Sequence, residues 1–130
     1  AVIQRFISSM LRGEKPIIYG DGTQSRDFTF VENVVRANLQ ACLAPGRIAG
    51  VYNIASGGAV SVRTLAQRIA DILGVSVEPE YRPARRGDIP HSRADISRAR
   101  ECFGYAPVVS VEEGLQRTVD WFRKREEGRG

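Results

Sequence analysis

The 130-residue chain has the length of one domain, with 42% hydrophobic residues, 26% charged residues and a net charge of +4, which excludes disorder and leaves no room for two full domains. Its apolar runs are only a few residues long, against the roughly 18 that a membrane-spanning helix needs. Gln4 and Arg5 follow Ala1-Val2-Ile3 at once, which is no signal-peptide pattern, so the expected compartment is the cytoplasm and no membrane partner is expected.

Along the chain, Ile3, Phe6, Ile7, Met10 and Leu11 stand at helical spacing over residues 2–12, and Gly13 ends that helix. Pro16 opens a short strand, Ile17-Ile18-Tyr19, which stops at the turn Gly20-Asp21-Gly22. Residues 27–31 read as a second strand. Asn33 is a competent N-cap for a helix to about Leu43, with Val34, Val35, Leu39 and Cys42 inward. Residues 51–55 read as a buried strand before the turn Gly57-Gly58. Ser61 caps the clearest helix, whose apolar set is Val62, Leu65, Ala66, Ile69, Ile72 and Leu73, and Gly74 terminates it.

Residues 75–81 alternate like a strand. Asp95 is expected to cap a short helix ending at Gly104, with Ile96, Ala99, Cys102 and Phe103 on one face. Ser110 and Glu113 fit a capping box for the last helix, which carries Leu115, Thr118, Val119 and Phe122 on one stripe and frays after Arg125. Strands do not alternate regularly with helices, and no Gly-x-Gly-x-x-Gly fingerprint follows the first strand. The expected fold is therefore one small α+β domain of about five helices and short strands, without the Rossmann sheet.

Cys42 and Cys102 are far apart in sequence and are expected to be free, small core residues, with a disulfide as the alternative. With a single histidine, a metal site is not expected. The charge is concentrated: residues 82–100 hold six arginines against Asp88 and Asp95, while the rest of the chain balances at thirteen positive and thirteen negative. Of the 19 basic residues 17 are arginine, whose planar fork suits bidentate phosphate recognition.

Two segments could carry a site. In Tyr19-Gly-Asp-Gly-Thr-Gln-Ser-Arg26-Asp27-Phe28, a glycine-bounded turn allows close backbone approach to a ligand, and Arg26 at its exit could reach an anion. The plain alternative is a hairpin-like turn with a surface Arg-Asp pair. In Arg82-Pro-Ala-Arg85-Arg86-Gly-Asp88, a proline-stiffened loop could offer arginine to a diphosphate and Asp88 to ribose hydroxyls. Its alternative is a solvated loop with internal ion pairs.

Taken in order, Tyr-Gly-Asp-Gly, Gln-Ser-Arg-Asp-Phe, Val-x-Asn-Val, Val51-Tyr-Asn-Ile54, Arg-x-Gly-Asp, His91-Ser92 and Ala94-Asp95 resemble one family over residues 2–122. The chain is similar to the C-terminal substrate-binding lobe of the extended short-chain dehydrogenases/reductases, the NAD-dependent nucleotide-sugar epimerases and dehydratases, and most of all to the UDP-glucose 4-epimerase kind. The resemblance implies a UDP- or dTDP-sugar ligand. Arg26 and Arg85 would hold its diphosphate and Asp88 would engage the ribose. The base would lie along Ile17, Ile18 and Tyr19. Arg86 is left as a spare cation, and Asn53 is expected to be structural. Arg47 and Arg117 are expected on solvated surface.

The family usually has Asp where this chain has Asn33, a change that keeps helix-capping ability. The family's glycine-rich NAD loop and Tyr-x-x-x-Lys pair belong to an N-terminal Rossmann lobe, and neither pattern occurs here: the fourth residues after the four tyrosines are Thr23, Ser56, Arg85 and Val109. His91 has no acid or base partner near it in sequence and is not expected to be catalytic. The expectation is a lobe that binds but is not catalytic alone, with no cofactor of its own. NAD would sit in the missing lobe, supplied in cis or trans, and transient hydride transfer at the hexose C4 would be the whole enzyme's reaction. A homodimer is expected, with the first helix (Ile3, Phe6, Ile7, Met10) burying the exposed surface. The alternatives are a standalone nucleotide-binding or dimerisation module and, more weakly, nucleic-acid binding through residues 82–100.

Overall fold

The computed structural model of the protein describes residues 2–46 and 48–128. The elements run α1 (Val2–Leu11), β1 (Ile17–Tyr19), β2 (Ser25–Arg26), α2 (Val31–Leu43), β3 (Val60–Ser61), α3 (Val62–Leu73), β4 (Glu80–Arg82), α4 (Ser97–Phe103) and α5 (Val111–Glu127). Among the described residues the strands form two small sheets, β1 parallel to β4 and β2 antiparallel to β3. This is the small mixed domain of five helices and short strands that periodicity and capping signals predict.

The main core lies between α1, α3 and α5. Phe6, Ile7 and Met10 meet Leu65, Ala66 and Ile69, with Leu115, Val119 and Ile18 closing the cluster. Burying each large side chain of this kind contributes about 1.5–3 kcal/mol. Local signals define the helix ends. Ser61 Oγ accepts from the Thr64 amide at 3.1 Å, and Gly74 closes α3 in the left-handed conformation. Ser110 Oγ accepts from the Glu113 amide at 3.1 Å, but Glu113 turns to pair with Arg117, so half of the expected capping box forms. α5 continues through Glu127 rather than fraying after Arg125. Gly114 leaves room for Phe30, because a Cβ there would come 2.9 Å from the Phe30 Cβ.

Several expectations are corrected. The strand expected over residues 27–31 does not form, since pairing is confined to Ser25 and Arg26. Residues 51–55 are no strand either: no ladder partner faces them among the described residues, and Val51 is exposed. The strand expected over 75–81 shrinks to Glu80–Arg82, the stretch that reaches β1. α4 starts later than Asp95, although Asp95 still accepts from the Ser97 amide at 2.9 Å. Cys42 and Cys102 are free but exposed, not core residues. Asn53 is exposed as well.

The largest correction concerns α2. Its first residue is Val31, so Asn33 lies inside the helix and caps nothing. Asn33 is instead buried. Its Nδ2 donates to the Val109 carbonyl at 2.9 Å, and its Oδ1 accepts from the Val108 and Val109 amides, each at 2.9 Å. Those bonds turn Asn33 and Ala37 inward and leave Val31, Val35, Leu39 and Leu43 outward, the reverse of the expected face. The homodimer expectation also loses its proposed element, because Phe6, Ile7 and Met10 of α1 are already buried in the chain's own core.

A second, smaller cluster joins Ala37, Ala55, Ile96, Ala99 and Tyr105. Tyr105 is fully buried, and its hydroxyl donates to the Ala55 carbonyl at 2.7 Å. Burial pushes its pKa above the ordinary value near 10. The folded chain therefore holds this proton more tightly than the unfolded chain. The contribution to stability is complete below about pH 10 and is lost as pH rises through the raised value. Urea unfolding between about pH 8 and 11 is expected to show that fall, and Tyr105→Phe is expected to flatten it; identical pH profiles would remove Tyr105 as the cause.

Candidate functional site

One cleft of about 880 Å³ runs between α1, β1 and the arginine-rich loop that follows β4. All six residues singled out in the sequence line it: Ile17, Ile18, Tyr19, Arg26, Arg85 and Asp88. Backbone pairing brings them together. β1 and β4 align Tyr19 with Arg82, and the Gly20 amide donates to the Arg82 carbonyl at 2.8 Å. At the far end of the loop, the Ser25 amide donates to the Pro90 carbonyl at 2.9 Å, and the Ser92 amide donates to the Ser25 carbonyl at 3.0 Å. Residues 83–89 are thus tethered at one end to the strand bearing Tyr19 and at the other to the strand bearing Arg26. Within the loop, the Asp88 amide donates to the Arg85 carbonyl at 3.2 Å, which keeps the cation and carboxylate on one turn.

The turn after β1 is equally constrained. Gly22 has φ +79°, a conformation that favours glycine, and a Cβ there would lie a tight 3.1 Å from the Arg63 Cβ. Asp21 Oδ1 accepts from the Thr23 amide at 2.9 Å and the Thr23 hydroxyl at 2.6 Å, and those bonds hold its pKa below the usual carboxylate range. Gln24 Nε2 donates to the Tyr19 carbonyl at 2.6 Å.

The charged groups face one another across the cleft. Arg26 donates through Nη1 to the Ser25 carbonyl at 2.8 Å and through Nη2 to Asp88 Oδ1 at 2.7 Å. The Arg85 guanidinium stacks over the Tyr19 ring, 4.0 Å from its centre, and lowers the Tyr19 pKa. Ile17 and Tyr19 are half-buried, while Ile18 packs into the core and contributes only to the cleft floor. Five arginines and one aspartate line the cleft. An anion entering it meets a positive wall, and a flat apolar group beside the anion would meet β1.

Sequence reasoning missed two of those arginines, Arg5 on α1 and Arg12 just past its end, which stand seven residues apart. That spacing is the only signal, and it is the same for an ordinary solvated face. It also missed Asp27. Far from being half of a surface pair, Asp27 accepts from the Ser56 amide at 2.9 Å, the Ser56 hydroxyl and the Gly57 amide at 3.0 Å. It ties residues 56–57 to the segment that carries Arg26. His91 Nδ1 lies 2.9 Å from Ser25 Oγ, outside the lining of the cleft. Arg47 lies outside the described residues, and Arg117 is not simply solvated: it pairs with Glu32 and Glu113. Among the described residues no cluster of three metal-ligating side chains occurs, and no helix is long and apolar enough to cross a membrane.

The fold is one also found in solved UDP-sugar epimerase structures. Residues 1–55 match the family described as NAD dependent epimerase/dehydratase. The UDP-glucose 4-epimerase of Mycolicibacterium smegmatis is 39% identical over 124 residues, 95% of this chain and 39% of that protein. The crystal structure of UDP-glucose 4-epimerase from Thermotoga maritima, solved with UDP-glucose, superposes with a TM-score of 0.89 at 42% identity, covering 96% of this chain and 40% of that one. The UDP-glucuronic acid 4-epimerase of Bacillus cereus, in complex with UDP-glucuronic acid and NAD, gives a TM-score of 0.89 at 30% identity over 95% of this chain and 40% of that one. The chain belongs to the NAD-dependent epimerase/dehydratase family. It spans between about a quarter and two fifths of the length of the curated relatives it matches.

Proposed function

We propose that this chain is the C-terminal, nucleotide-sugar-binding lobe of a UDP-sugar epimerase or dehydratase, and that it binds and orients its ligand without being catalytic alone. The observation that carries the reading is the convergence of Arg26, Arg85 and Asp88 beside β1 in one cleft. Two guanidiniums suit a diphosphate, each making charge-assisted hydrogen bonds. A carboxylate three residues from one of them suits vicinal ribose hydroxyls. Among the described strands β1 pairs only with β4, so its other edge keeps backbone groups for a base. The cleft volume falls in the range of small-molecule sites.

NAD does not fit this chain's residues: the sequence has no Gly-x-Gly-x-x-Gly turn to approach a dinucleotide pyrophosphate and no Tyr-x-x-x-Lys pair. Hydride chemistry is therefore assigned to a Rossmann lobe, in cis or in trans. The outward side of α2, with Val31, Val35, Leu39 and Leu43 exposed, supports such a partner, since isolated domains rarely leave so long an apolar stripe uncovered. A second copy of the chain on that stripe is the dimeric alternative. Nucleic-acid binding gains no support, because the arginines of residues 82–100 are dispersed: Arg82 pairs with Glu80, Arg93 donates to the Gly57 carbonyl and Arg98 to the Val51 carbonyl.

The test combines thermal unfolding with an activity assay. UDP-glucose at about a hundred times its Kd is expected to add about 2.7 kcal/mol of stability. The chain alone, with or without NAD, is expected not to convert UDP- or dTDP-hexoses, and addition of a matching Rossmann lobe is expected to restore conversion. Turnover by the chain alone at roughly one per second or more would overturn the binding-lobe reading.

A further inference from the structure

We propose that Asp88 is a selectivity gate, an internal anion that holds Arg26 until a ligand offering both a phosphate and vicinal hydroxyls replaces it. This rests on the nucleotide-site reading and adds a discriminating role for the Arg26–Asp88 ion pair. Asp88 Oδ1 accepts from Arg26 Nη2 at 2.7 Å, so the carboxylate competes with an incoming phosphate for that donor. The Arg26 Nη1 edge is already turned to the Ser25 carbonyl at 2.8 Å and the Pro90 carbonyl at 3.5 Å. A phosphate therefore competes with Asp88 for Arg26 Nη2, and makes its fullest set of bonds to Arg26 by displacing the carboxylate.

The consequence of that displacement differs between ligands. Inorganic phosphate and pyrophosphate carry only acceptors at high pH and few donors near neutrality. They strip the carboxylate of its cation, leave it beside a second anion, and give it nothing in return. A nucleoside diphosphate brings the 2′ and 3′ hydroxyls of its ribose, which donate to the displaced carboxylate. The ion pair thus penalises bare anions and costs a nucleotide little. Asp88 can make this exchange because it sits on the Arg85–Asp88 turn, where Gly87 has φ +83° and the Asp88 side chain remains 41% exposed.

The experiment is isothermal titration of the chain, Asp88→Asn and Arg85→Ala with uridine diphosphate, 2′,3′-dideoxyuridine diphosphate and inorganic pyrophosphate at low salt. Asp88→Asn is isosteric, and the position is exposed, so folding is checked by unchanged thermal unfolding. Removing an exposed pair frees about fivefold in affinity, so pyrophosphate is expected to bind Asp88→Asn about fivefold more tightly than it binds the unsubstituted chain. Uridine diphosphate is expected to bind about tenfold more weakly, because hydroxyl bonds to a charged acceptor are lost. The preference for nucleotide over pyrophosphate then falls about fiftyfold, and the dideoxy compound no longer differs from uridine diphosphate. Arg85→Ala is expected to weaken both uridine diphosphate and pyrophosphate and to leave the preference in place. Pyrophosphate binding that is unchanged or weaker in Asp88→Asn, with uridine diphosphate weakened, would reduce Asp88 to an ordinary ribose contact and overturn the gate. Binding of uridine diphosphate that is absent from the chain, or indifferent to Arg85→Ala, would overturn the nucleotide-site reading itself.

Discussion

Replacing Arg26 or Arg85 by alanine is expected to weaken uridine diphosphate binding by about ten- to a hundredfold. Each guanidinium reaches the cleft from a different tether, Arg26 from β2 and Arg85 from the loop after β4, and 59 positions separate them in sequence. Each would contribute charge-assisted bonds worth about 1.5–3 kcal/mol to an ionised partner, and about 1.4 kcal/mol is a factor of ten. Arg100→Ala is the control: it is exposed on α4, does not line the cleft and is expected to change affinity by less than about twofold. Arg117 cannot serve that purpose, because its pair with Glu32 bridges α2 and α5. Titration at low salt keeps screening least. Equal, small losses at Arg26, Arg85 and Arg100 would mean a generic basic surface rather than a diphosphate site.

Asn33→Ala is expected to lower folding stability by about 4 kcal/mol, a large loss for a single polar side chain. That side chain is 1% exposed and serves three backbone groups of residues 108 and 109. Removing it leaves the buried Val109 amide and carbonyl, and the part-buried Val108 amide, without partners, each at up to about 1–3 kcal/mol, less what relaxation and water recover. At roughly 4 °C per kcal/mol for a domain of this size, the melting temperature would fall by about 15 °C. Asn33→Asp keeps both accepted bonds and loses the donated one, so it is expected to fall between the two. Denaturant unfolding of the three proteins gives the order directly. A loss below about 1 kcal/mol for the alanine variant would mean that water replaces the amide without cost.

The helices were legible in the sequence because their signals are local. Apolar residues at helical spacing, Ser61 and Ser110 three residues before an amide they can cap, and Gly74 and Gly104 in the left-handed conformation act within one or two turns of chain. Ile17-Ile18-Tyr19 was legible as a strand for the same reason. The six site residues were reached differently, through the order of motifs along the chain and the family it resembles. Spacing alone left both segments open to plainer readings.

Tertiary structure decided the rest. A strand exists only where a partner offers a ladder, so β-rich residues 51–55 stayed unpaired while Glu80–Arg82 found β1. A helix face is inward only with respect to what packs against it, and α2 turned its most apolar stripe outward because Asn33 binds the backbone at 108–109. Asp27 and Asn33 look like surface and capping residues until donors 29 and 76 positions away arrive beside them. The pairing of Arg26 with Asp88 likewise depends on residues 90–92 lying along β2, a contact across more than sixty positions that no local pattern encodes. Periodicity and capping are properties of a few consecutive residues, whereas strand pairing, burial and ion-pair geometry belong to segments that meet only when the chain is folded.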